Sequence, residues 1–311
     1  MTQQETDNPH VPLPDAPDNN WVDRHAPLSW RPYLRLMRVD RPVGSHLLAI
    51  PCLWAILAGV VAGVAWLDLA LVTIACLLGA FITRSLGCVV NDLADRKMDA
   101  KVARTKNRPL ASGQLTVTSA LILMVILGLL AFALLPLVGW QASMVALAAT
   151  PLILAYPLMK RITHWPQLML GGCMNWGFLV AWTSLEPGSF MSAMLIFSGA
   201  ICWTIAYDTI YAFQDRDDDR LIGVGSTAIL AGDHPKLFVG FFYAAAWLLF
   251  ASGWLVFAGP NTIWFMLPLG AHLAWQIASI RVEDGNCNLM LFRANRLAGI
   301  LAGLPPLAYV L

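Results

Sequence analysis

Two acidic clusters, Asn91-Asp92-Leu-Ala-Asp95-Arg-Lys-Met-Asp99 and Asp208-(six residues)-Asp215-Arg-Asp217-Asp218-Asp219, each close a long apolar segment. Carboxylates near hydrocarbon are costly and need a strong compensating partner. Asp92, Asp95 and Asp99 fall at i, i+3 and i+7, and Asp208, Asp215 and Asp219 at i, i+7 and i+11, so a helix would line each set along one face. Such faces repel one another unless cations neutralise them. Hard oxygen ligands select Mg²⁺, which commonly binds through a few carboxylates together with substrate phosphates. The pattern points to intramembrane chemistry on a diphosphate.

Basic residues follow the first cluster at once: Lys101, Arg104, Lys106 and Arg108, then Pro109 and Gly113. They suit the remaining oxygens of a diphosphate. They equally suit a loop retained on the cytoplasmic face, and for Arg96, Lys101 and Lys106 the two readings stand level. Arg108 beside Pro109 is the better ligand candidate. Lys160-Arg161, between Tyr156-Pro157 and Thr163, is a second compact cationic pair, open to the same two readings. Asp208 lies about two turns inside its apolar segment, where an ionisable residue is a functional candidate by default. Asp217 and Asp218 fall off the Asp208/Asp215/Asp219 face, as solvated side chains would. Tyr207 and Tyr211, one turn apart, either face a carbocation with their rings or pack. Arg84 lies inside the second apolar segment, and burial there costs about 2.5–3.5 kcal/mol. It requires a pocket Asp or an anionic group of a substrate.

The elements that position these groups are membrane helices. Of 311 residues, 58% are hydrophobic and 13% charged, against roughly 25% charged in a soluble domain. Apolar segments near 43–64, 68–90, 116–137, 139–158, 167–185, 190–213, 237–258, 260–280 and 290–310 are each about long enough to span hydrocarbon. The expected fold class is all-α, a polytopic protein of nine transmembrane helices around a central cavity with cytoplasmic cap loops. Of the 20 Lys and Arg, 19 lie in the N-terminal region or at the 2–3, 4–5, 6–7 and 8–9 connections and their helix ends. By the positive-inside rule those connections and the N-terminus are cytoplasmic, and the C-terminus lies outside. Both acidic clusters then face the cytoplasm.

Residues 1–30 are polar and Pro/Asp-rich, without the apolar core of a signal peptide or the acid-poor character of a transit peptide. They read as a disordered extension, followed by a single domain over 31–311 that opens with a short interfacial helix near Trp30–Met37. A bacterial inner membrane fits. Six cysteines (52, 76, 88, 173, 202 and 287) show no CxxC or Cys/His grouping, which argues against zinc or a disulfide framework. The histidines His46, His164 and His272 share no ligand spacing. No long basic tract argues for nucleic acid, and no obligate protein partner is evident. A transporter would place its polar residues near the membrane midplane in broken helices, and a scaffold would not need two spaced carboxylate faces.

These residues resemble the UbiA superfamily of intramembrane aromatic prenyltransferases from about Leu34 to Leu230. The likeness runs through Arg38-Val-Asp40-Arg41-Pro42-Val-Gly44, Arg84-Ser-Leu-Gly87-Cys-Val-Val-Asn91-Asp92, Asn107-Arg108-Pro109-Leu110, Tyr156-Pro157-Leu-Met-Lys160-Arg161-Ile-Thr163 and Tyr207-Asp208-Thr-Ile-Tyr211 with Asp215 and Asp219. The Tyr-Pro-x-x-Lys-Arg-x-Thr stretch resembles the 4-hydroxybenzoate branch more narrowly. The resemblance implies a polyprenyl diphosphate as donor and 4-hydroxybenzoate as acceptor, in ubiquinone biosynthesis. A naphthoate, haem, chlorophyllide or homogentisate acceptor is the alternative. It implies Mg²⁺ on Asn91, Asp95, Asp99, Asp215 and Asp219, with Asp92 and Asp208 supporting that shell. Asp95, Asp99, Asp215 and Asp219 would be the catalytic set. Arg104, Arg108, Lys160 and Arg220 would bind diphosphate, and Arg161, helped by Arg84, the carboxylate of the aromatic acid. The chain departs from the family pattern twice. Gly225 stands where a lysine is expected, and Asn175 where a more apolar residue is.

Overall fold

The computed structural model describes residue 16, residues 20–102 and residues 105–310. Among these there are fourteen α-helices and no strand. Six helical stretches are long and apolar enough to cross a membrane: Val43–Val61, Trp66–Asp99, Val117–Met159, Pro166–Leu185, Phe190–Ile222 and Pro235–Ala258. In lipid only helices and closed barrels satisfy every backbone group internally, so a chain of such helices is a membrane protein.

The described residues fall into two compact units, one of those up to residue 45 with those in 81–133, the other of residues 46–80 and 134–310. In the first unit, α1 (Trp21–His25) and α2 (Arg31–Leu36) precede the start of α3 (Val43–Val61). The stretch expected to be disordered through residue 30 thus contains a helix. Asn20 caps α1 by accepting from the Asp23 amide, Val22 is buried, and Arg35 pairs with Asp23 at 2.8 Å. Residues 1–15 and 17–19 of that extension lie outside the described residues. The unit also holds the C-terminal half of α4 (Trp66–Asp99) and all of α5 (Val117–Ala133). Its core is Leu36, Val89, Leu110, Leu115, Ala120 and Leu127. Leu110 and Leu115 belong to the connection after α4, which is therefore folded rather than a loose linker.

At 34 residues α4 is about 51 Å long, against about 30 Å of hydrocarbon. Its C-terminal turns must stand clear of the lipid, and those turns carry Asn91 to Asp99.

The second unit contains most of α3, the first half of α4, and α6 (Gly139–Ala148) through α14 (Gly285–Ala302). The chain enters it through a 3₁₀ turn, Leu135–Val138, and Gly139 at φ 79°. α6 and α7 (Thr150–Met159) meet at Ala149, itself in α conformation, so the rod runs nearly unbroken from 139 to 159. α9 (Phe190–Ala212) is central, packed on α8 (Pro166–Leu185), α12 (Pro235–Ala258) and α14. Small residues set the α9–α12 approach: a Cβ on Gly253 would stand 2.6 Å from Ile196, and one on Gly199 3.0 Å from Phe250.

A fully buried polar clasp joins four helices of this unit. Trp203 of α9 donates to Asn295 Oδ1 of α14 (2.8 Å), and Tyr243 of α12 donates to Gln276 Oε1 of α13 (Thr262–Ser279; 2.7 Å). Asn295 Nδ2 in turn donates to Gln276 Oε1 (3.0 Å). The final segment, expected over 290–310, is instead a helix over 285–302, because Pro305 and Pro306 cannot continue an α-helix and open a 3₁₀ turn.

Candidate active site

The first cluster is built by unbroken α4, so Asp92, Asp95 and Asp99 do share a face, and all three are buried. Arg38 Nη2 reaches both oxygens of Asp92, at 2.7 and 3.0 Å. Arg108 Nη1 bridges Asp92 (3.3 Å) and Asp99 (2.9 Å). Asp92 therefore anchors two guanidinium groups, and Arg108, expected on a diphosphate, rests on the acids themselves. The connection that delivers Arg108 is pinned to the same helix end, since Thr105 Oγ1 donates to the Asp99 carbonyl at 2.9 Å.

Arg38 had no role in the sequence reading beyond its place in a motif. Its backbone explains why it is there. The Val39 amide bonds to the Leu34 carbonyl (2.9 Å) and the Arg38 amide to that of Arg35 (3.1 Å), the paired bonds of a Schellman stop at the end of α2. The residue between must be left-handed, and Arg38 has φ 61° where glycine is usual. Burial disfavours its charge, but the Asp92 carboxylate more than offsets this and pushes its pKa above that of an ordinary arginine. The only sequence signal for this pair was an acidic residue that needed a cation.

Arg84, one of the expected aromatic-acid ligands, is half-buried in α4, and its Nε has no hydrogen-bond partner. It lies over Gly44: a Cβ there would come within 2.6 Å of Nε and 2.8 Å of Nη2. Asn91 is half-buried, while Arg96, Lys97, Lys101 and Lys106 are exposed. Arg104 lies outside the described residues.

The second cluster departs from the single helical face expected of it. α9 ends at Ala212, a 3₁₀ turn spans Phe213–Asp215, and α10 (Arg216–Ile222) follows. Three residues at about 120° each, rather than about 100°, turn the later face by roughly 60°. Asp208 is half-buried in α9, Asp215 ends the 3₁₀ turn, and Asp219 lies in α10. Asp217 and Asp218 are exposed, as expected. Arg220 is exposed and leans toward Asp217 at 3.9 Å. Arg216 Nη2 pairs with Glu283 at 3.0 Å. Of the two tyrosines, Tyr207 is 2% exposed and packs edge-on against Trp203 and Phe292, a core position. Tyr211 is half-buried, its ring 4.6 Å from Phe292, an aromatic neighbour not singled out in the sequence.

In the same unit, Lys160 is half-buried at the C-terminus of α7, and Arg161 is exposed in the turn that follows. The Gly225 amide donates to the Lys160 carbonyl at 2.7 Å. Asn175 is buried between α8 and α9, donating to the Gly171 carbonyl (2.8 Å) and Thr204 Oγ1 (2.8 Å); its Oδ1 has no partner. It serves helix packing one turn before Asp208.

Both acid sets offer only hard oxygen donors, which suit Mg²⁺. Among the described residues no three His, Cys, Asp or Glu side chains form a ready-made metal cage. An ion that arrives with substrate phosphates needs only one or two carboxylates, and the paired acids of α4 can supply these.

The pattern of the UbiA prenyltransferase family matches residues 48–296. The chain is 44% identical over 273 residues to a mitochondrial 4-hydroxybenzoate polyprenyltransferase of Aedes aegypti, covering 87% of this chain and 61% of that one. It is 41% identical over 274 residues to a 4-hydroxybenzoate octaprenyltransferase of Yersinia pseudotuberculosis, covering 88% and 93%. Its fold is shared with a UbiA homologue from Aeropyrum pernix K1 (TM-score 0.70, 22% identity, 86% and 98% covered). A UbiA homologue from Archaeoglobus fulgidus bound to GPP and Mg²⁺ also shares it (TM-score 0.64, 16% identity, 90% and 100% covered).

Proposed function

The chain belongs to the UbiA prenyltransferase family, and we propose that it moves a polyprenyl group from its diphosphate to 4-hydroxybenzoate, at the ring carbon ortho to the hydroxyl. Diphosphate is released, as a step toward ubiquinone. The observation that carries this reading is the likeness to the octaprenyltransferase of Yersinia pseudotuberculosis across 93% of its length. The Tyr156–Thr163 stretch, with Lys160 and Arg161 side by side, supports the aromatic acid over the alternative acceptors.

Bound Mg²⁺ would act as a Lewis acid, stabilising charge on the departing diphosphate. Asn91, Asp95 and Asp99 of the first acid set, and Asp215 and Asp219 of the second, are its proposed ligands, with Asp208 in support. Asp92 holds Arg38 and Arg108 in place. Arg108, now on Asp99 at 2.9 Å, would pair with a phosphate oxygen and so free Asp99 to help hold the ion. Lys160 and Arg220 neutralise further phosphate charge. Ionisation of the allylic C–O bond leaves a cation, with the ring of Tyr211 as its aromatic neighbour. Arg161 holds the carboxylate of the acid, and Arg84 Nε offers a buried donor to an anionic group. The acceptor ring attacks the cation, and loss of its ring proton restores aromaticity.

The helices Val43–Val61 through Pro235–Ala258, with 117–159 counted as two crossings and α13 and α14 added, give the proposed nine spans. The connections rich in Lys and Arg face the cytoplasm of a bacterial inner membrane, which leaves the C-terminus outside. The test uses membranes carrying the chain, labelled 4-hydroxybenzoate, a polyprenyl diphosphate and Mg²⁺, with an EDTA control. Label moving into lipid only with Mg²⁺ is the expected result. Diphosphate release without transfer would overturn the acceptor; neither release nor transfer would overturn the activity.

A further inference from the structure

Gly225 is buried, and its place in the second unit is tighter than any side chain allows. A Cβ there would collide with the carbonyl oxygen of Thr163, and would lie 2.7 Å from that carbonyl's carbon and 2.9 Å from His164 Cα. All three are backbone atoms, so no rotamer change relieves the contact. The Gly225 amide meanwhile donates to the Lys160 carbonyl at 2.7 Å. That carbonyl lies at the end of α7, where helix carbonyls lack intrahelical donors. The adjoining turn is closed by its own bonds, Arg161 amide to Leu158 carbonyl (3.0 Å) and Thr163 amide to Met159 carbonyl (2.9 Å). On the other side, Gln167 Oε1 accepts from the Thr227 amide (3.1 Å), and Thr209 and Thr227 share a hydroxyl bond. The turn of residues 223–227 is thus tied to α7, α8 and α9 at once.

We propose that Gly225 is a positioning residue that locks the Lys160–Thr163 turn onto the segment following Asp215 and Asp219, so that both move as one pad. The proposal rests on the function above, since that turn carries the cations assigned to both substrates. It also bears on the glycine that stands where a lysine is expected: the Thr163 backbone fills the space that side chain would need. The positive charge beside the second acidic segment then comes from the neighbouring turn.

Gly225→Ala forces the basic turn aside, and displacing substrate-holding groups by about 1 Å can cost on the order of a hundredfold. We expect kcat/KM to fall roughly tenfold to a hundredfold for the polyprenyl diphosphate and for 4-hydroxybenzoate alike, chiefly through KM. Gly223→Ala is the control. It strains the same loop at φ 74° but has open space around its Cβ, and should change either value less than about threefold. Equal effects of the two changes, or none from Gly225→Ala, overturn the proposal. Hydrogen exchange on the wild-type protein decides the matter if Gly225→Ala does not fold. The Gly225 amide should be protected, and inorganic diphosphate with Mg²⁺ should slow residues 158–163 and 223–226 together. Fast exchange at Gly225, or slowing of one segment alone, overturns it. Absence of transfer by the wild type would instead count against the function, leaving the exchange result to judge the contact.

Discussion

Replacing Arg38 should cost more than its unremarkable place before the first span suggests. Arg38 is 8% exposed and Asp92 1%, and the pair is closed by two bonds of 2.7 and 3.0 Å. Removing one member of a buried ion pair costs about 3–5 kcal/mol, because the other charge stays desolvated. Arg108, at 3.3 Å from one Asp92 oxygen, retains part of that loss, so Arg38→Ala should fall near the lower end. Arg38→Gly removes the same pair but relieves the left-handed backbone, a relief of about 1 kcal/mol. The glycine variant should therefore be the more stable of the two, the reverse of the usual helical order. At roughly 2 °C per kcal/mol for a large chain, thermal unfolding in detergent should fall by about 6 °C for alanine and about 4 °C for glycine. Adding Asp92→Asn to Arg38→Ala should cost less than the sum of the single changes. An alanine variant within about 1 °C of wild type, or strict additivity of the double change, would refute the strut assigned to this pair.

Three further outcomes are expected. Asp95→Ala or Asp215→Ala should abolish turnover, by at least about a hundredfold, while the protein still elutes as a folded species on gel filtration; near-normal turnover in either would sink the metal assignment. Arg161→Ala should raise KM for 4-hydroxybenzoate about tenfold or more, the loss of one charged hydrogen bond, and leave KM for the diphosphate within about twofold; steady-state kinetics on each substrate checks this. Asn295→Leu should strand the Trp203 indole N–H and the Gln276 side-chain N–H in a buried setting, a loss of about 2–3 kcal/mol. Its melting temperature should drop by roughly 5 °C, and an unchanged value would mean the clasp adds nothing to stability.

Much of the helical layout was legible in the chain because apolar length and charge are local properties. The segment expected at 167–185 is a helix over 166–185, and that at 190–213 a helix over 190–212. The i, i+3, i+7 spacing of Asp92, Asp95 and Asp99 placed them on one face for the same reason: nothing interrupts α4. The second cluster failed that reading because a 3₁₀ turn at Phe213–Asp215 resets the phase, and spacing alone carries no sign of it. Asn175 stands where a more apolar residue is expected, and only the packing shows that its amide is engaged between α8 and α9.

The amino-acid sequence by itself determined where apolar helices form and which connections carry the cations. Each follows from neighbours within a few turns of the chain. Only the tertiary structure decided who pairs with whom. Arg38 and Asp92 stand 54 residues apart, and Trp203 and Asn295 stand 92 apart. Their partnerships arise because a buried charge or donor must be satisfied by whatever packing brings near. Gly225 makes the same point in backbone: its requirement for no side chain comes from the Thr163 carbonyl across the fold, not from its own neighbours in sequence.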